Sequence, residues 1–276
     1  MFFIYLPRFE SPKDMFKPII LTLFAFIGIS TGAKAQSFAQ EVGIIFGPVT
    51  LQSDYGERHD LETNVGNRGI GIGLVHFINF SANNNHETFF SEHVKIRSEL
   101  TYTNTNLEHF GHYVEKTPPT LGVLRLRAMN GKSNILSLGA QGEFSFIKIH
   151  DFENNVGSFS PYISLGFLVS YYSTKVNSEL GPLGTIETTP AKYLVPSDGR
   201  QYGFSSENGI VLSATAGLGV HYKLTTMSDL MLECRFQSFS SDWVDGLNPN
   251  KDLFKENKAN DWQVWLNVGY IHYLEF

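Results

Sequence analysis

Between Gly209 and Leu224 the chain alternates residue by residue for longer than any ordinary strand requires. Ile210, Leu212, Ala214, Ala216, Leu218, Val220 and Tyr222 fall on one side of an extended backbone, and Val211, Ser213, Thr215, Gly217, Gly219, His221 and Lys223 on the other. Successive side chains of a strand point to opposite faces, so this is a β-strand with one apolar and one largely polar face. Strands of soluble sheets usually run about 5–6 residues, whereas a tilted strand that crosses a bilayer needs about 9–11. The segment therefore predicts a membrane-spanning strand.

Seven further segments repeat the pattern: Glu41–Thr50, Arg68–Phe80, His93–Thr103, Asn134–Ile147, Pro161–Ser173, Asp229–Ser240 and Trp262–Phe276. In the His93 segment Val94, Ile96, Leu100 and Tyr102 oppose Lys95, Arg97, Glu99 and Thr101; in the Asp229 segment Leu230, Leu232, Cys234 and Phe236 oppose Glu233, Arg235 and Gln237. Charges in mid-strand are costly against lipid, so those faces must look into a lumen. A ninth candidate, Leu121–Met129, breaks its own alternation at Leu124-Arg125-Leu126-Arg127 and would spoil the even strand number of a bacterial barrel. It follows Thr117-Pro118-Pro119-Thr120, which can open a short helix, and is assigned to a surface loop.

The expected fold is all-β: one eight-stranded, antiparallel, up-and-down transmembrane barrel. Its long extracellular loops are Leu51–Asn67, Asn104–Ser133, Thr174–Asn208 and Ser241–Asp261. Thr225–Ser228 is a tight periplasmic turn, whereas Ser81–Glu92 and Lys148–Ser160 are long for that side. In the last strand Trp262, Val264, Leu266, Val268, Tyr270, Leu274 and Phe276 share a face, with aromatics at both ends as interfacial girdles require. The terminal aromatic resembles the signal by which insertion machinery recognises outer-membrane barrels.

Composition agrees. Charged residues are 17% of the chain, against 25 glycines, 23 phenylalanines and 12 tyrosines. No run long enough for a spanning helix occurs past residue 36. A net charge of −6 without a basic stripe excludes a nucleic-acid partner. The single cysteine, Cys234, excludes an internal disulfide and reads as a small apolar side chain. At the N-terminus Lys17, the apolar run Ile19–Ile27 and Ala33-Lys34-Ala35 make a secretory signal peptide over 1–35, with the barrel over 36–276. Residues 1–14 read as a misassigned start, with Met15 the conventional one.

Candidate chemistry is sparse. Gly69, Gly71 and Gly73 recur every second residue, unlike a dinucleotide-binding turn, and make room on one face of a strand. Lys95, Arg97, Glu99, Glu143, Glu233 and Arg235, with Gln141, His221 and Lys223, form the expected lumen network. Eight strands leave an interior that side chains fill, so acids and bases there should pair. The stretch from Asp242 to Asp252 is rich in oxygen ligands, but its spacing departs from calcium loops and Asp-Gly and Asn-Pro read as turns. Asp54 and Tyr55 after the first strand, and Asp242, Trp243 and Asp245 after the seventh, are the candidate interaction-loop residues. Barrel closure should bring these two loops together.

Several pieces together resemble a known family: Glu41-Val42-Gly43-Ile44-Ile45-Phe46-Gly47 with Asp54 soon after, Pro161-Tyr162-Ile163-Ser164-Leu165-Gly166, Gly217–Lys223, and Ser241-Asp242-Trp243-Val244-Asp245. They resemble small outer-membrane barrels of Bacteroidota, in particular the PorG-like barrels linked to type IX secretion. Ser53-Asp54 stands where that family usually has Gly-Asp, and Trp243 replaces the Tyr of its D-Y-x-D stretch. The resemblance implies an outer-membrane barrel of a sister family. Its expected role is a non-enzymatic structural or interaction component of a secretion or envelope-assembly complex, with no cofactor. Its expected partners are outer-membrane lipid, the barrel-insertion machinery through the last strand, and an envelope protein. The alternatives are a lipid-modifying enzyme using His221 and Glu143, and a narrow pore.

Overall fold

Alternation resolves into eight strands: β1 (Ala39–Gln52), β2 (Arg68–Asn79), β3 (Val94–Glu108), β4 (Met129–Ser145), β5 (Phe159–Ser178), β6 (Asn208–Thr225), β7 (Ser228–Phe239) and β8 (Trp262–Leu274). Each pairs antiparallel with its sequence neighbours, and β8 returns to β1, with Ile44 opposite Tyr270, to close the barrel. The structure, a computed structural model, describes residues 39–56, 65–80, 88–112, 114–255 and 259–274. The expected signal peptide, the alternative start at Met15 and the terminal Phe276 lie outside these residues.

The two faces divide as their chemistry demands. Ile70, Ile72, Leu165, Phe167, Ile210, Leu212, Leu218 and Leu232 stand exposed on the outer wall. Their inward neighbours Lys95, Arg97, Glu99, Glu143, Glu233 and Arg235 are buried. In water such an apolar exterior would be a large aggregation-prone patch. Around a closed barrel with every strand edge paired it is a lipid-facing belt, and it places the protein in an outer membrane. Aromatics rim the belt: Tyr102 and Tyr171 at the end bearing the long loops, and Phe144, Phe146, Phe159 and Tyr222 at the other. Cys234 stands on the lipid face between Leu232 and Phe236.

Several strands outrun their expected limits at the long-loop end. β5 continues to Ser178 and β4 starts at Met129, so this wall rises past the tyrosines. Short α-helices occupy several connections. α1 (Phe89–His93) and α3 (Ile149–Asn154) account for the long periplasmic turns. α2 (Leu121–Ala128) replaces the rejected ninth strand, with the Thr120 side chain accepting the Val123 N–H as its N-cap. Ile149 and Phe152, three residues apart, share one side of α3 and are buried against the periplasmic end of the lumen. Lys148 Nζ lies 2.8 Å from Glu92 Oε1 and ties the start of α3 to α1.

Candidate functional site

The barrel interior is built in tiers. At its centre Glu233 receives two arginines: Arg97 Nη1 at 2.7 Å on Oε2 and Arg235 Nε at 2.7 Å on Oε1. Tyr162 donates its hydroxyl to the same Oε2 at 2.8 Å. Arg235 Nη1 also reaches Glu99 Oε1 at 2.8 Å, and Arg97 Nη2 donates to Gln141 Oε1 at 2.9 Å. Glu143 lies 3.5 Å from Arg97 Nη1 and 3.0 Å from His221 Nε2. Low dielectric makes each charge costly alone and each charge-assisted bond strong, so the cluster stands or falls as a unit.

A second tier lies toward the periplasm. Lys95 Nζ pairs with Glu41 Oε1 at 2.7 Å, and Lys223 Nζ with Asp229 Oδ1 at 3.2 Å. Tyr273 donates to Asp229 Oδ2 at 2.8 Å, and its ring lies 3.6 Å from Lys223 Nζ. Helix α3 covers this tier. Phe152 approaches Lys223 Nζ at 5.7 Å, and Glu153 accepts from Asn79 Nδ2 at 2.5 Å. Toward the outside the charges give way to amides and hydroxyls: Gln263 donates to Gln237 Oε1 at 2.7 Å, and Gln237 to Ser213 Oγ at 2.8 Å.

Above these the long loops fold inward over an apolar cluster that includes Leu51, Tyr55, Leu107, Tyr172, Tyr193, Phe239, Trp243, Val244 and Leu247. The Asp54 segment and the Asp242 loop do meet across the mouth: Asp54 N–H donates to Asp245 Oδ2 at 2.9 Å. Asp245 Oδ1 accepts from Leu247 N–H at 2.6 Å, around a turn in which Gly246 has φ +88°. Asp261 Oδ2 accepts from Asp245 N–H at 3.0 Å, and Tyr193 donates to the Asp54 carbonyl at 3.3 Å. These bonds use the acidic loop as turn and cap chemistry. Burial and the neighbouring Asp54 and Asp242 carboxyls push Asp245 well above the usual carboxylate range, and burial together with Asp245 does the same to Asp261. Burial, reinforced by Lys192, pushes the His109 imidazole down to about 3, so a neutral ring lies tilted against Tyr55 with the ring centroids 4.8 Å apart.

All six lumen residues singled out from sequence face inward. Arg97, Glu99, Glu143, Glu233 and Arg235 form one network, whereas Lys95 belongs to the lower tier with Glu41. Sequence reasoning passed over Glu41, Tyr162, Asp229 and Tyr273, although their place in the alternation puts each on the lumen face. The five loop residues come together, but inside the cap: Asp54, Tyr55, Asp242, Trp243 and Asp245 are all buried. Trp243 is 3% exposed, bonded to Asp198 Oδ2 at 3.2 Å, with the Arg200 guanidinium 3.7 Å from its ring. It anchors loops to each other and presents no surface to a partner. His221 and Glu143 are buried in the lumen, on the opposite face of the wall from lipid.

No protein-family model matches the chain, and no curated protein sequence does. Among solved structures it is similar to the neisserial surface protein A (12% identity, TM-score 0.42, covering 87% of this chain and 99% of that one). It is also similar to Ail, the attachment invasion locus protein of Yersinia pestis (12%, TM-score 0.39, 86% and 99%). A third is a major outer membrane protein of Thermus thermophilus (10%, TM-score 0.46, 87% and 100%). The likeness is one of barrel architecture.

Proposed function

We propose that this outer-membrane barrel is a non-conducting, non-enzymatic structural or interaction component of the envelope that works through its outer surfaces. The observation that carries the reading is the interior: paired side chains fill the lumen, α3 covers one end and the loop cap the other. What remains free for a partner is the outside of the loops. There Leu121 and Leu124 of α2 stand exposed, as does Ile186 of the β5–β6 loop. Arg125 Nε donates to the Glu187 carbonyl at 3.4 Å and holds the two segments side by side. Exposed apolar side chains with a polar surround suit a protein partner.

The sequence resemblance to PorG-like barrels of Bacteroidota supports a secretion or envelope-assembly complex of type IX kind as the setting. Export by the signal peptide over 1–35 and insertion through β8 belong to the same reading. Affinity isolation from gently solubilised outer membranes should retrieve one stoichiometric envelope protein, and replacing Leu121, Leu124 and Ile186 by Ser should release it. Repeated recovery of the barrel alone would overturn the proposal. Stable conductance steps in planar bilayers would overturn its non-conducting part.

A further inference from the structure

The raised wall formed by β3, β4 and β5 carries an ordered set of outward-facing residues above the lipid belt. Backbone register aligns Tyr102, Leu136 and Tyr171 in the rim of the belt. The next outward row is Asn104, Asn134 and Ser173, continued by Asn208 on β6. Above it Lys132 and Lys175 stand directly opposite one another. The row of carboxamides is bonded together: Asn134 Oδ1 accepts from Tyr102 Oη at 3.0 Å and from Asn104 Nδ2, and Asn134 Nδ2 reaches the Ser173 carbonyl at 3.4 Å.

Like charges directly opposite on adjacent strands repel, and an anion between or beside them relieves that repulsion. Both lysines are exposed, and neither forms an ion pair among the described residues. The lysines stand four residue steps from the tyrosine rim, about 14 Å along the strand at ~3.4 Å per step. At a tilt of about 40° that is about 10 Å along the membrane normal. Lysine stems can bend back toward the membrane by several ångströms, which brings their ammonium groups into the headgroup layer. Apolar belt, tyrosine rim, amide row and cation pair then match, in order, acyl chains, glycerol or sugar, sugar hydroxyls and phosphate.

We infer that Lys132 and Lys175, with the Asn104–Asn134–Ser173 row beneath them, bind the phosphorylated saccharide headgroup of an outer-leaflet glycolipid. The position above the belt assigns the phosphate to lipid rather than to free anion. The test uses the full barrel in detergent micelles, with no partner protein, and titrates three probes: lipid A carrying both phosphates, the same lipid with its phosphates removed, and inorganic phosphate. Wild type should bind the phosphorylated lipid at least tenfold more tightly than the dephosphorylated one and should show no response to inorganic phosphate at equal concentration. K132Q/K175Q should weaken binding about thirtyfold, about fivefold per lysine. K132R/K175R keeps the charges and should retain binding, which separates loss of charge from misfolding. Undiminished binding by K132Q/K175Q, equal affinity for the two lipids, or equal competition by inorganic phosphate would each overturn the inference.

Discussion

Replacing Arg97 by Met tests whether the lumen is held by its charges as a unit. The side chain is fully buried and bonded to Glu233 at 2.7 Å and Gln141 at 2.9 Å, with Glu143 at 3.5 Å and Glu99 at 3.6 Å. Removing one partner of a buried pair costs about 3–5 kcal/mol, because the other charge is left desolvated and unpaired. Glu233 would keep Arg235 and Tyr162, and Glu143 would keep His221. The loss for Arg97→Met should therefore lie near the lower end, at about 3 kcal/mol. With Arg97 gone, Arg235 is left facing both Glu99 and Glu233; adding Glu233→Gln removes that surplus negative charge and leaves Arg235 paired with Glu99 and His221 with Glu143, so the double variant should recover about 2 kcal/mol of that. Reversible urea unfolding in lipid vesicles measures this. Trp265, whose ring lies 5.2 Å from the Arg235 guanidinium, is a fluorescence reporter at the network itself. A single variant that loses less than about 1 kcal/mol, or a double variant whose losses simply add, would refute the coupled network.

Three further outcomes follow from other parts of the molecule. Because the closed cap holds protons on Asp245 and Asp261 more tightly than an opened one, its stability is greatest in acid and declines as pH rises from about 4 toward the raised values. Hydrogen exchange of the β7–β8 loop should speed up over that range. Asp261→Asn keeps an acceptor for Asp245 N–H and should flatten the slope, so an unchanged slope counts against the argument. A Cβ on Gly71 would lie 2.7 Å from the Trp265 indole, whereas one on Gly142 would meet nothing closer than 4.0 Å. Gly71→Ala should therefore cost about 1–3 kcal/mol by unfolding and Gly142→Ala almost nothing. Leu165, 65% exposed and midway along the apolar face of β5, should cost about 2–4 kcal/mol when changed to Arg, against about 0–1 for Ser173→Arg above the rim. Equal costs at the two positions would contradict the placement of the belt.

Alternation is a local property, and what it encodes was legible. The strands β1 to β7 match their expected limits within a few residues at the periplasmic end, and every charge assigned to the lumen faces it. Strand ends at the outer side were less legible. Thr174 and Val176 turn inward and Lys175 and Asn177 outward just as residues within the membrane do, but these outward residues are polar, so apolar alternation ends before the strand does. Parity also gives a face without a height. That Lys95 meets Glu41 while Arg97, two residues on, meets Glu233 depends on strand stagger around the closed barrel, which no single strand reveals.

That barrel closure brings the two loops together was legible; that their aspartates and tryptophan end up inside the cap was not, and this moves the functional surface. Asp54 and Asp245 lie 191 residues apart, and their burial is created only when closure of β1 on β8 brings the two loops into one cap. A loop has no period from which inside and outside can be read, so aspartates and a tryptophan that look like an exposed recognition surface serve instead as the cap's internal bonds. Once Trp243 is committed to Asp198 and Arg200, a partner must meet residues that the sequence made inconspicuous: Leu121 and Leu124 on a helix whose residues can pass for a strand, and Ile186 in a polar loop. The lysine pair at 132 and 175 was hidden in the same way, since Lys132 and Lys175 lie 43 residues apart and become neighbours only through the register of β4 on β5.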